Sequence, residues 1–145
     1  MVDETPLATS ANQPGYGTAG SPSTNVSSVT GRSLLTIPLV CDGSGNLDTY
    51  GPAIGGDVVT VVLAQGTLAA TTDITLTGET TGQPILTLTN VTAGGLWRPR
   101  GPTHDLTGVA TGALDAVGVV GRVHIVVAQG GPAGAGTLYL FVEAA

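Results

Sequence analysis

From Ser33 onward, apolar residues alternate with Thr and polar residues along much of the chain. A period of two places successive side chains on opposite faces of a β-strand. Residues 33–40 (SLLTIPLV) predict a first strand, with Pro38 placing it at a sheet edge or near a strand end. Residues 41–56 (CDGSGNLDTYGPAIGG) read as a long turn-rich loop. Further strands are expected at 58–64, 72–77, 84–89, 122–128 and 137–143. Within 72–77, Ile74 and Leu76 share one face, and Asp73, Thr75 and Thr77 share the other. Two strands leave their inward face open. The run VVTVVLA at 58–64 is apolar at almost every position, as in strands covered on both faces. In PILTLT at 84–89, Ile85 competes with Leu86 and Leu88. Residues 90–121 read as a second irregular stretch, within which 109–120 fits either a short strand or a single helical turn.

Two segments, VTVVLAQGTLAATTDITLT (59–77) and VHIVVAQGGPAGAGTLYLF (123–141), align without a gap. Val59/Val123, Val62/Val126, Ala64/Ala128, Gln65/Gln129, Gly66/Gly130, Ala69/Ala133 and Leu76/Leu140 are identical pairs. Duplication explains this, and so does chance likeness between two amphipathic ribbons. Two copies are too few for a solenoid. What both share is scaffold before it is chemistry, and each copy reads as a β-hairpin with AQG at its turn. The expectation is an all-β protein: a β-sandwich or jelly-roll-like domain of six to eight strands over residues 33–145, with 58–77 and 122–143 as its longest hairpins. The expected core is Leu35, Ile37, Val59, Val61, Ile74, Leu76, Leu86, Leu88, Ile125, Val127, Leu138 and Leu140.

Residues 1–32 have Pro6, Pro14 and Pro22, many small polar residues and no apolar periodicity. Such a stretch buries too little surface to offset its ordering entropy. It reads as an extended or disordered N-terminal arm, with Leu7 and Tyr16 as anchors should it order against a neighbouring subunit.

Composition sharpens this picture. The chain of 145 residues is one domain's length, and its 23 glycines and 9 prolines suit short strands and turns. Charged residues are 10% of the chain, against a usual quarter, which suggests surfaces covered by partners or a passive structural role. All four basic residues are arginines and the net charge is −6. That balance disfavours nucleic acid as a partner, since phosphate binding needs a positive stripe. Cys41 is the only cysteine, so neither an internal disulfide nor a thiolate metal cage is expected. The N-terminus lacks the pattern of a signal peptide, and no apolar stretch approaches the length of a membrane-spanning helix.

Candidate chemistry is sparse. Asp42, Ser44, Asn46 and Asp48 resemble the start of a calcium loop, but Leu47 and Ala53 occupy the positions of its Gly and Glu, and ordinary turn chemistry fits better. His104–Asp105 invites a hydrolase reading with a Ser or Cys41 as nucleophile. It lacks a GxSxG elbow, and adjacent residues of an extended chain rarely face each other. His124 shares a strand face with Arg122 and Val126, which suits a packed or interface histidine better than a zinc ligand. The segment Gly95–Pro102 (GLWRPRGP) is the strongest candidate contact surface, since Trp and Arg are enriched at interface hot spots. The alternative is that Trp97 folds back to cap one end of the sandwich while the arginines pair locally.

Three stretches, ITLTGETTGQPILTLTNV (74–91), WRPRGPTHD (97–105) and GRVHIVVAQGGPAGAGTLYLFVE (121–143), resemble a family of small virion proteins of tailed bacteriophages, described as head decoration or cement proteins. The resemblance covers residues 58–143. It departs from the family pattern in the last segment, where Arg122-Val123-His124 and Pro132-Ala133-Gly134 replace the family's lysines. It implies a structural protein with no catalytic, cofactor-binding or metal residues. It also implies contacts with a major capsid protein and with copies of itself, as a trimer for example, on the capsid exterior after synthesis in the host cytoplasm. Trp97, Arg98, Arg100, Leu7 and Tyr16 are the candidate subunit-contact residues. Two other functions stay open: a neck, tail or fibre-attachment protein, and a carbohydrate-binding module with Trp97 and Tyr50 as aromatic platforms.

Overall fold

The computed structural model describes residues 25–29 and 31–144. The fold is all-β, as expected, with no helix among these residues. Its strands are β1 (Asn25–Val29), β2 (Arg32–Val40), β3 (Leu47–Ala64), β4 (Thr72–Gly78), β5 (Pro84–Val91), β6 (Gly95–Trp97), β7 (Arg100–His104), β8 (Ala110–Ala128) and β9 (Ala135–Ala144). All pairing is antiparallel. The order is β1-β2-β9-β3-β8-β4-β5, with β6 joined to β3 and β7 to β8.

This continuous sheet makes a β-sandwich because β3 serves both layers. Its first part, Leu47–Val58, pairs with β8, while Gly56–Ala64 pairs with β9. The first layer is therefore β1, β2, β9 and the end of β3, flanked by β6. The second is the start of β3, the end of β8, β4 and β5. The layers meet tightly: a methyl group at Gly51 in β3 would lie 3.0 Å from Ile37 Cδ1 of β2. β2 through β9 match the expected strand count. β1 lies within the segment assigned to the arm, because Asn25–Val29 pair with Arg32–Thr36. The sheet thus starts before residue 33.

The two expected hairpins do not form. β3 pairs with β9 and β8 rather than with β4, and β9 pairs with β2 and β3 rather than with β8. Each AQG turn instead carries the chain from one layer to the other, as an arch. β3 leaves the first layer and enters the second as β4; β8 leaves the second and returns to the first as β9. Alternation reports which face of a strand is buried, and it is silent on which strand lies alongside. The two similar segments meet in space, where their arches interlock at one end of the sandwich. The Thr67 amide donates to the Ala135 carbonyl at 2.7 Å, and the Ala69 amide to the Gly130 carbonyl at 3.0 Å. Gly66 adopts φ 57, and a side chain there would strike the Ala135 carbonyl oxygen. Gln129, the counterpart of Gln65, takes φ 58.

The core is aliphatic. Ten of the twelve expected residues are buried, and Val59 and Leu86 are the exceptions. Both sit at bulges, where an extra residue breaks strict alternation. The β9–β3 register shifts between Phe141 and Val142, so Val58 and Val61 both point inward and Val59 does not. The β4–β5 register shifts between Leu76 and Thr77, which turns Ile85 inward and leaves Leu86 half-buried against the core.

Candidate functional site

The outer faces of the two layers differ in chemistry. On the second layer, alternation turns outward the exposed Asp48, Tyr50 and Arg122 and the half-buried His124, opposite the buried Val123 and Ile125. These side chains engage one another. His124 Nε2 lies 2.6 Å from Asp48 Oδ1, and its ring stacks on Tyr50 with centroids 4.6 Å apart. The Arg122 guanidinium lies 4.2 Å from the Tyr50 ring centroid and forms a two-pronged pair with Glu79. That pair holds the Glu79 carboxyl below its ordinary range and raises Arg122. Tyr50 thus packs against two side chains of its own chain while staying 41% exposed.

On the first layer, the outward residues are Arg32, Leu34 and Thr36 on β2, Thr60 and Val62 on β3, and Tyr139, Phe141 and Glu143 on β9, with Leu96 beside Val62. Between the Arg32–Glu143 pair at one end and Leu96 at the other, these side chains are uncharged. A hollow of about 350 Å³ opens here between Leu34, Val59, Thr60 and Phe141, with Arg32 at its rim. Arg32 is paired with Glu143 at 3.1 Å. The apolar run at 58–64 thus has one face in the core and the other on this surface.

The third feature is a two-stranded ribbon. Residues 90–121, expected to be irregular, contain β6, β7 and the first half of β8, so the choice between strand and helical turn at 109–120 resolves to strand. β7 pairs with Ala110–Ala116 of β8. Residues 104–115 are all exposed, so the ribbon stands off the body. At its tip, Asp105 Oδ1 accepts from the Thr107 amide at 2.8 Å, the Thr107 hydroxyl at 2.7 Å and the Val109 amide at 3.0 Å. These bonds lower the Asp105 pKa, with the Thr107 hydroxyl as the largest cause. Asp105 closes the turn and does not orient His104, so the paired hydrolase geometry is not formed. Leu106 is fully exposed, with Val109 at 61% and Leu114 at 65%.

Of the candidate contact residues, Trp97 is half-buried, pairs with Val61 and packs against the core. It folds back over Gly95, where a methyl group would lie 3.0 Å from its Cη2. Arg98 is exposed. Arg100 donates from one guanidinium nitrogen to the Pro99 carbonyl at 2.8 Å and the Val59 carbonyl at 3.3 Å. Neither arginine has a carboxylate partner among the described residues. Leu7 and Tyr16 lie outside the described residues. Asp42 is occupied as a turn former, its Oδ1 accepting from the Ser44 and Asn46 amides at 2.8 and 3.0 Å. Those amides pull its pKa down. The sequence pointed to Trp97 and the arginines but missed Leu34, Val59 and Phe141 around the hollow and Leu106, Val109 and Leu114 on the ribbon. For Val59 the only signal was the doubled apolar run; for the ribbon, irregularly spaced aliphatics among Gly and Thr gave none.

No family model, no curated protein and no solved structure matches this chain.

Proposed function

We propose that the chain is a structural virion protein that decorates or cements the capsid shell of a tailed phage. In this reading it is present in many copies on the capsid exterior, as a symmetric oligomer for which we propose a trimer, and contacts the major capsid protein. The observation that carries the reading is the apolar outer surface of Leu34, Val62, Leu96, Tyr139 and Phe141, bordered by the Arg32–Glu143 pair and set against a second face built on the Asp48–His124 and Arg122–Glu79 pairs. An apolar face of this kind suits burial against another protein better than free contact with water. The resemblance of residues 74–91, 97–105 and 121–143 to virion proteins supplies the class of assembly. The chain performs no catalysis in this role, and Trp97, Arg98 and Arg100 lie at or near a subunit contact, where planar arginine groups pair with carboxylates in a way lysine does not reproduce.

Quantitative mass spectrometry of purified virions of the phage that encodes it tests the reading. Copy numbers on the order of hundreds support a shell decoration, whereas a few to a few dozen identify a neck, tail or fibre-attachment protein. Absence of the chain from the particles overturns the virion assignment.

A further inference from the structure

We propose that copies of this chain associate head to tail, the tip of the β7–β8 ribbon of one copy seated in the outer hollow of the next. The two elements complement each other. The tip presents Leu106 and Val109 beside the Asp105 carboxylate, all exposed. The hollow presents Leu34, Val59 and Phe141, and Arg100, which has no carboxylate partner among the described residues, bonds to the Val59 carbonyl beside it. Apolar tip meets apolar floor, and a carboxylate meets an arginine.

The contact cannot close within one molecule. Arg100 starts β7 at the hollow's edge, and the paired ribbon carries the tip away from it by about 13 Å over four residues at strand rise. A ribbon exposed on both faces has little to hold it in isolation, and docking on a neighbour supplies what its own body does not. Because tip and hollow are different surfaces, the contact is heterologous, and such contacts close into a ring when the rotation per copy permits. A ring of three is one such closure. The partner is a second copy of this chain, and the inference rests on the structural-protein reading only for where the ring is used.

Sedimentation of the full-length protein at about 100 µM, well above the Kd of an ordinary specific interface, tests this directly. The expected result is a closed oligomer for the native sequence. Leu106→Asp and Phe141→Asp each give monomer with an unchanged far-ultraviolet circular dichroism spectrum. An equimolar mixture of the two variants gives a two-chain complex, because the intact hollow of one accepts the intact tip of the other. Val120→Asp, at an exposed site lining a different surface near Thr80 and Gly118, leaves the oligomer in place. A native protein that sediments as a monomer overturns the proposal, as does an oligomeric Leu106→Asp or a mixture that stays monomeric. Virion copy number is a separate measurement, so loss of the virion reading and loss of self-association are told apart.

Discussion

The end of the sandwich where the two arches interlock and the ribbon that projects from the body are built from the same residue types, and they hold together in opposite ways. At the arches, Gln65 donates from its amide nitrogen to the carbonyls of Leu68, Ala69 and Val91 at 3.0 to 3.2 Å. Leu68, Leu138 and Leu63 are buried around them. In the ribbon, almost every side chain faces water, and the order comes from the β7–β8 ladder and the Asp105 turn. Glycine and threonine make a rigid junction where two segments of chain cross, and an exposed arm where only two strands meet. Context, and not composition, sets the local stability.

The largest expected effect is in the core behind the arches. Leu138→Ala removes a fully buried side chain and lowers unfolding free energy by about 2–5 kcal/mol, read from the urea midpoint. Gly66→Ala comes next, losing about 2 kcal/mol or more through its left-handed φ and the collision with the Ala135 carbonyl. The repeat offers a sharper contrast. Gln65→Ala leaves buried carbonyls short of a donor and costs about 1–3 kcal/mol. Gln129→Ala, at the matching position, loses one exposed bond to Asp73 and stays within about 0.5 kcal/mol. Equal losses would mean that the two arches are equivalent in energy as well as in sequence.

The smallest effects are in the ribbon. Leu114→Thr leaves the urea midpoint within error, while hydrogen exchange of amides 101–115 runs far faster than that of β3 and β9 unless the protein is assembled. Protection of those amides in a monomer would erase the contrast. The turn is also sensitive to acid. The Asp105 carboxyl titrates below its ordinary value of about 3.9 in the folded chain, so its contribution is present above that pH and fades as pH falls through the lower folded value. The protection of the Val109 amide, taken relative to its intrinsic exchange rate at each pH, should therefore fall in that acid range, and Asp105→Ala should remove the dependence.

Ile74, Leu76, Ile125, Leu138 and Leu140 were legible as core because strict alternation holds where the ladder is regular. Val59 and Ile85 were not, because a bulge inserts a residue and reverses which side faces in, and no local pattern marks it. Partnership was less legible still. An AQG turn between two amphipathic strands satisfies a hairpin and an arch equally, and the choice depends on hydrogen bonds such as that from Ala69 to Gly130, made across a separation no window of sequence spans. Trp97 was visible by its residue type, whereas the hollow beneath Phe141 exists only once β2, β3 and β9 lie side by side.

Cys41 sits where the arches cross. Its amide donates to the Gly134 carbonyl at 2.8 Å, its side chain is buried, and a methyl group at Gly130 would lie 2.6 Å from its sulfur. Burial, with the neighbouring Asp42 charge, raises the thiol's pKa and suppresses the reactive thiolate. As the chain's one sulfhydryl, it is a chemical clock wired to the junction. Under native conditions a disulfide reagent reaches the buried thiol through opening of the crossed segments, so its labelling rate, set against that of an exposed thiol, reports how readily that junction opens.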